Sequence, residues 1–205
     1  VLDPVYVLNV NKQTPRGYES EGRYVLDLSR YYQGHGDYDT TETMALQKEA
    51  FLRIAHIVRN QPEVKCISIS GSNAFPNGGG FYGHNFFADT TQAAMEKGPY
   101  AEDGSQFFQT YGMKDARNGE ELVVPPGVAD RGQCFISAEL AKRLFGTVEV
   151  VGKKIFLGGK DISEEIAGVF EDYKHRNYNQ PLPLVVRFKK ELAATFGFLE
   201  YAIVL

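Results

Sequence analysis

The sequence contains no tryptophan, and it has only two cysteines and four histidines among its 205 residues. Two cysteines do not make the disulfide framework of a small secreted scaffold. Cys66 and Cys134 both lie in apolar, strand-like surroundings, which favour buried reduced thiols, although the sequence leaves a disulfide between them open. The histidines are far apart, and none has the i, i+4 spacing of a zinc-binding helix. We therefore predict no metal site and no cofactor.

The chain also lacks a long hydrophobic run and an excess of basic residues. No apolar stretch reaches the length of about 20 residues that a membrane-spanning helix requires. Its 22 lysines and arginines stand against 26 acidic residues, dispersed along the chain, for a net charge of -4. This balance argues against a nucleic-acid partner. A hydrophobic content of 43% is enough for a buried core.

Three motifs that resemble reactive or nucleotide-binding sites fit structural roles better. Gly78, Gly80 and Gly83 spell G-x-G-x-x-G, but no helix follows that could hold a phosphate. The Gly-Gly-Lys at 158–160 lacks the remaining residues of a phosphate loop and predicts a hairpin turn. A cluster of acidic residues is best interpreted as a solvated face: Asp161, Glu164, Glu165, Glu171 and Asp172. We predict no catalytic residue and no enzyme activity.

The most regular pattern of the chain is a strand, a helix and a hairpin between residues 134 and 173. The alternation at its start predicts a strand that ends at Ser137, whose hydroxyl can cap the following helix. Leu144 and Phe145 close the apolar face of this helix, and Gly146 supplies a left-handed stop. Two further alternating segments then predict a β-hairpin.

The order of these pieces resembles the MacB-like periplasmic core domain of ABC-transporter permeases of the FtsX/MacB type. Five short matches carry the resemblance: PEVKCIS at 62–68, FFQTYGMK at 107–114, SAELAKRLFG at 137–146, VGK at 151–153 and IAGVFED at 166–172. The residues that carry the last three, and for which we expect structural roles, are Ser137, Leu144, Phe145, Gly146, Gly152, Lys153, Gly168 and Asp172.

The predicted fold is α+β with two lobes. A βαβ-based, porter-like lobe is expected to be discontinuous, at 1–72 with 184–205, and a mixed α/β, sabre-like lobe is expected to be inserted at 73–183. In the first lobe, a helix that begins near residue 40 should turn one apolar face to the sheet. That face includes Ile54, Ile57 and Val58.

The resemblance implies an extracytoplasmic domain on the periplasmic side of the bacterial inner membrane, with membrane helices outside this chain. Its partners would be an ATPase subunit or domain, a second permease subunit that dimerises through membrane helices, and a periplasmic adaptor or carrier protein. The domain would relay ATPase-driven conformational change and contact cargo during export or lipoprotein release.

Aromatic residues in Gly-rich loops are the candidate partner-contact surface, because such side chains can become buried anchors on binding. They are Phe75, Phe81, Tyr82 and Phe86. The alternative is that these rings fill the core of their own lobe. Two other functions stay open from the residues alone: a secreted ligand- or glycan-binding module with exposed tyrosines, and a hydrolase whose site is assembled from distant residues.

Overall fold

The computed structural model describes residues 16–19, 21–27, 40–71, 84–89, 93–96, 100–102, 106–157, 162–174, 181–189 and 199–204. This part of the chain contains ten strands and three helices. In chain order they are β1 (Arg23–Asp27), α1 (Thr40–Arg59), β2 (Cys66–Gly71), β3 (His84–Phe87), β4 (Ala93–Glu96), β5 (Tyr100–Glu102), α2 (Phe107–Thr110), β6 (Gln133–Ser137), α3 (Ala138–Phe145), β7 (Lys154–Leu157), β8 (Ile162–Phe170), β9 (Val185–Lys189) and β10 (Leu199–Val204).

All ten strands form one sheet in the order β1-β10-β2-β5-β9-β6-β8-β7-β3-β4. β10 lies between β1 and β2 and is antiparallel to both, so β1 and β2 run parallel with α1 as their crossover. This confirms the βαβ unit and the return of the last strand to its sheet. β9 lies further along, parallel to β5 and antiparallel to β6. The mixed α/β content agrees with the predicted class, whereas the division into two lobes stays a prediction.

α1 covers the β1-β10-β2 end of the sheet with one apolar face. It begins at Thr40, as the sequence predicted. Ala55 is 1% exposed, and Ile54 and Val58 pack with it against the apolar side chains of β2. Ile57, which we had placed on this face, is 53% exposed, so that assignment is wrong. The buried stripe is centred nearer Ala55, which leaves Ile57 beyond its edge at 100° per residue.

Two large cores lie on opposite faces of the central strands. The alternation along β6 sends Phe135 to one face and Ile136 to the other. The first core, which we call the aromatic cluster, contains Phe107, Phe108, Tyr111, Met113, Leu122, Val128, Phe135, Phe170, Tyr173, Leu184, Val186 and Phe188. The second, the α3 cluster, contains Phe86, Cys134, Ile136, Ala138, Leu140, Ala141, Val150, Ile155, Ile166, Val169 and Val185.

The aromatic cluster is built from rings in contact. Phe108 is the centre, with its ring centroid 4.8 Å from that of Phe135, 5.5 Å from Phe170 and 6.2 Å from Phe188. Each such pair contributes about 0.5–1.5 kcal/mol beyond the burial of its area. The short helix α2 is therefore fixed to strands β6, β8 and β9 through a single side chain.

Both cysteines are free thiols, Cys66 half-buried and Cys134 fully buried. The alternative of a disulfide between them is wrong. Among the helices in the described ranges, none is both long enough and apolar enough to cross a membrane.

Candidate functional site

Three chain segments meet at the first turn of α3, and Ser137 joins them. Its hydroxyl oxygen accepts hydrogen bonds from the N–H of Leu140 at 3.3 Å and from the N–H of Leu184 at 3.0 Å. Its own N–H donates to the carbonyl of Leu184 at 2.9 Å. The helix cap is therefore also a link to the segment that leads into β9. The side chain is completely buried and used as an acceptor, which fits a structural role and not that of a nucleophile.

Asp172, just beyond β8, completes this junction. Its Oδ1 accepts the N–H of Glu139 at 2.7 Å, so a second side chain satisfies the open end of α3. Burial raises the pKa of Asp172, and the hydrogen bond from Glu139 opposes part of that rise. The carboxylates of Glu139 and Glu171 raise it further, whereas Lys142 lowers it. Asp172 is half-buried, so its interpretation as part of a solvated face is wrong.

Gly168 is required by close packing inside the same unit. A bulge shifts the register of β6 and β8, so that Cys134 pairs with Ile166 and Phe135 with Gly168. A Cβ atom on Gly168 would lie 2.7 Å from the ring of Phe135 and 3.3 Å from Leu122. A side chain at this position would therefore collide with the ring of Phe135, which explains the glycine.

The segment at 107–114 runs directly into the edge of this unit. The N–H of Glu171 donates to the carbonyl of Lys114 at 2.9 Å, and the N–H of Ala116 donates to the carbonyl of Val169 at 2.9 Å. Two of the sequence matches, which lie more than 50 residues apart, are thus hydrogen-bonded neighbours along the end of β8.

The far end of α3 is held by the remaining motif residues. Gly146 has φ of 73° and closes the helix by donating its N–H to Lys142 at 2.9 Å. Gly152, with φ of 81°, donates its N–H to the carbonyl of Ile166 at 2.8 Å. Lys153 places its Nζ 5.2 Å from the ring centroid of Phe145. Half-buried Leu144 and Phe145 pack against the α3 cluster.

The candidate contact aromatics are not brought together as a described surface. Phe75, Phe81 and Tyr82 lie outside the described residues. Phe86 has no exposed surface and belongs to the α3 cluster, so its interpretation as an exposed anchor is wrong. It pairs with Leu157 across the β3–β7 ladder and turns inward, which matches the alternative that it fills the core.

Two buried carboxylates are paired with arginines. Glu164 is 8% exposed and forms an ion pair with Arg187 of β9, across the intervening strand β6, so its assignment to a solvated face is also wrong. The side chain of Glu164 lies on the same face of β8 as that of Ile166, which belongs to the α3 cluster. Asp115 accepts hydrogen bonds from Nε and Nη2 of the Arg117 guanidinium, and these bonds hold the pKa of Asp115 below its ordinary value.

These groups offer no reaction centre within the described ranges. Among those residues, no group of three or more histidine, cysteine, aspartate or glutamate side chains is placed to hold a metal ion. The described titratable groups with shifted pKa values have structural explanations: Asp172 caps a helix, Asp115 and Arg117 form an ion pair, Tyr173 is a buried ring, and burial raises the pKa of the Cys66 thiol. In this arrangement several segments of the chain are fixed to one helix, α3.

Comparisons with known proteins agree with this architecture. The family model described as MacB-like periplasmic core domain matches residues 8–191. The crystal structure of a domain from Porphyromonas gingivalis, named as a permease, is 18% identical and has a TM-score of 0.51; the match covers 74% of this chain and 65% of that domain. At this identity the likeness shows a shared fold alone, and the chain spans less than two thirds of that domain.

Two more solved structures are similar at lower scores. The extracellular domain of the noncanonic ABC-type transporter YknZ from Gram-positive bacteria has a TM-score of 0.46 at 14% identity, with 82% of this chain and 74% of that one covered. The periplasmic region of MacB from Actinobacillus actinomycetemcomitans has a TM-score of 0.48 at 10% identity, with 75% and 64% covered. No curated protein matches the chain by sequence.

Proposed function

The chain belongs to the family of MacB-like periplasmic core domains, and on that premise we propose that it is the extracytoplasmic domain of an ABC-transporter permease subunit. The observation that carries the proposal is the family match over residues 8–191, together with the packing of the sequence matches into one unit around α3. In this proposal the domain lies on the periplasmic side of the inner membrane. Its partners are an ATPase, a second permease subunit and a periplasmic adaptor or carrier protein.

The proposed task is to relay ATPase-driven movement and to contact cargo or a carrier, without chemistry of its own. A relay requires a body that moves as a unit. The hydrogen-bonded order of ten strands and the two cores that sandwich β6, β8 and β9 support that requirement. Export and lipoprotein release both fit such a relay, and the cargo is not specified by these features.

The alternative of a secreted glycan-binding module has less support. Such a module needs exposed rings on which sugars can stack. Among the tyrosines whose side chains the structure describes, Tyr111 and Tyr173 are buried, Tyr18 is half-buried, and Tyr24 is 55% exposed. One exposed ring within this set does not make a stacking surface.

Placement outside the cytoplasm is tested by cysteine labelling of the intact permease. Arg53 is exposed on α1, and Arg53→Cys in a Cys66→Ala background provides one accessible thiol within this domain, because Cys134 is fully buried; the Cys66→Ala permease without Arg53→Cys is the labelling control. A membrane-impermeant maleimide should label this position in intact spheroplasts as fully as in lysed ones. Labelling that occurs only after lysis would overturn the proposal.

The relay itself is tested with the same variant carrying a spin label. In the assembled transporter, the distance between the two copies of residue 53 should change when ATP and vanadate trap the closed ATPase. The control is ADP, which should leave the distance distribution as it is without nucleotide. An unchanged distribution in all three states would remove the relay role.

A further inference from the structure

A short segment in front of β1 contacts parts of the molecule that are remote from β1 in the sheet. We call residues 16–19 and 21–23 the strap. Its first half lies against the end of β8, where the N–H of Lys174 donates to the carbonyl of Arg16 at 2.8 Å. The rings of Tyr18 and Tyr173 meet edge to face with centroids 6.4 Å apart. Gly17 lies between these two contacts.

Gly17 allows the strap to approach another backbone very closely. Its φ is +75°, and a Cβ atom would lie 2.0 Å from the carbonyl oxygen of Asp172 and 2.7 Å from the Cα of Tyr173. Both the dihedral angle and the space therefore require glycine. The contact is made by backbone on both sides, so neither partner can give way by a change of rotamer.

The second half of the strap is fixed to the C-terminal end of α2. The N–H of Glu19 donates to the carbonyl of Tyr111 at 2.9 Å. Arg23 donates from Nε to the carbonyl of Thr110 at 2.5 Å and from Nη2 to the carboxylate of Glu19 at 2.5 Å. The Arg23 side chain is 13% exposed and that of Glu19 is 65% exposed, so the charge-assisted bond to Thr110 is partly shielded from water, whereas the ion pair with Glu19 lies at the surface.

The strap therefore connects two regions that the sheet keeps apart. Arg23 is the first residue of β1, which lies at one end of the described strand order and has β10 as its one partner among the described strands. Tyr111 and Tyr173 belong to the aromatic cluster under β6, β8 and β9. Through the sheet, the route from β1 to that cluster passes through β10, β2 and β5. A second route leads through α2, which packs on β2, and the N–H of Ile67 in β2 donates to Oε1 of Gln106 just before α2 at 3.3 Å. The strap adds a direct route of fewer than ten residues from β1 itself.

We propose that the strap is a coupling latch, which makes the β1 end of the sheet and the aromatic cluster move together. The strap has two discrete states, engaged and detached. Its hydrogen bonds and the close backbone contact at Gly17 are either formed or broken, because close-packed contacts do not deform continuously. The latch is a property of this chain. Its use in passing movement from β1 to the unit around α3 rests on the proposed function.

The latch is tested by residue-resolved amide hydrogen exchange, measured by NMR, on the Arg23→Ala variant. This change acts at one end of the strap, and the readout is the amide of Lys174 at the other end, which is buried and bonded to Arg16. If the strap opens as one unit, exchange of the Lys174 and Glu19 amides should become about tenfold faster. Exchange at Gly152, in the hairpin after α3, should be unchanged and reports any loss of overall stability.

Arg143→Ala is the matched control, because Arg143 forms an i, i+4 pair with Glu139 on the surface of α3, just as Arg23 does with Glu19. It should leave Lys174 exchange unaltered. Arg23→Lys keeps the positive charge but lacks the guanidinium that donates to both Thr110 and Glu19. It should therefore give a Lys174 exchange rate between those of the parent and of Arg23→Ala, and it keeps the test valid even if the alanine variant does not fold. The latch would be overturned if both Arg23 variants exchanged the Lys174 amide at the parent rate and only the Glu19 amide faster. The contacts of Arg23 would then stabilise their immediate surroundings and nothing further.

A second arm tests the use of the latch in the assembled transporter. With the spin label at residue 53, Arg23→Lys should reduce the ATP-dependent distance change by at least half while the ATPase remains active. A full distance change in that variant would overturn the relay role of the strap. Loss of the distance change in the parent as well would instead count against the proposed function, and the exchange result would still decide whether the latch exists.

Discussion

Asp115 and Asp172 are two shielded aspartates whose environments act in opposite directions. The guanidinium of Arg117 lowers the pKa of Asp115, chiefly by hydrogen bonding. Burial raises the pKa of Asp172, and the hydrogen bond from the N–H of Glu139 and the charge of Lys142 offset only part of that rise. The charge is therefore useful at the first position and unfavourable at the second.

Replacing each aspartate by asparagine should separate these effects. Asp115→Asn removes the charge that Arg117 needs and should lower the free energy of unfolding by about 1–2 kcal/mol. Asp172→Asn keeps an acceptor for the N–H of Glu139 and should change that free energy by less than about 0.5 kcal/mol, or raise it. Urea denaturation of both variants beside the parent measures the difference. Equal losses in the two variants would contradict this account.

The pH dependence follows from the same two directions. Because the pKa of Asp172 is raised on folding, the folded state favours its protonated form, so its contribution is most favourable at low pH and is lost as pH rises through the folded pKa. The contribution of Asp115 is present above its ordinary pKa of 3.8 and is lost as pH falls through its lower folded pKa. As pH falls from 7 to about 4, the parent should therefore gain stability relative to Asp172→Asn. Urea denaturation at four pH values tests the sign, and a constant difference would contradict it.

Phe81 and Tyr82 are expected to contact a partner protein, whereas Phe86 is expected to stabilise the core. Phe81→Ala with Tyr82→Ala should weaken binding to the proposed adaptor or carrier protein and leave the melting temperature nearly unchanged. Phe86→Ala is the matched contrast, because it empties a fully buried site and should lower the free energy of unfolding by about 3–5 kcal/mol. Biolayer interferometry and thermal melting of both variants test the division. A large melting shift in the double variant with binding intact would reverse it.

At the scale of single elements, the bulge between β6 and β8 depends on Gly168. Gly168→Ala forces a methyl group into the ring of Phe135 and should lower the free energy of unfolding by about 1–3 kcal/mol. Gly119→Ala is the control, because it has open space around it and φ of +74°, so it reports backbone strain alone, about 1 kcal/mol. Urea denaturation measures both. If Phe135→Leu does not relieve the Gly168→Ala loss in a double-mutant cycle, the clash is not its cause.

Local signals were enough to predict the elements whose ends are set by neighbouring residues. The cap at Ser137, the stop at Gly146 and the strands of the hairpin depend on interactions a few residues apart, and the sequence predicted them. The second bonds that Ser137 makes to Leu184 and the ion pair of Glu164 with Arg187 join positions with no local signal. The strap was missed for the same reason, although an isolated Gly17 just ahead of a strand is a visible sign of a close backbone approach.

At the scale of the whole molecule, the strand order explains why the cysteines remain unpaired. Cys66 opens β2 and Cys134 lies in β6, and β5 and β9 separate these strands. Three strand spacings amount to about 14 Å, whereas a disulfide requires Cα atoms within about 7 Å. The melting temperature should therefore be the same with and without a reductant, and unfolded protein should titrate two thiols per chain. A melting point that falls on reduction would contradict the strand order.

The position of β9 has a consequence for biosynthesis. In the described sheet, residues 185–189 pair with β5 on one side and with β6 on the other, and so join its two parts. A ribosome delivers this strand after every other described strand except β10, and pairings of such long sequence separation form slowly. Until β9 is in place, β5 and β6 each lack the neighbour that joins them, so we expect synthesis to pass through a stage with two exposed strand edges.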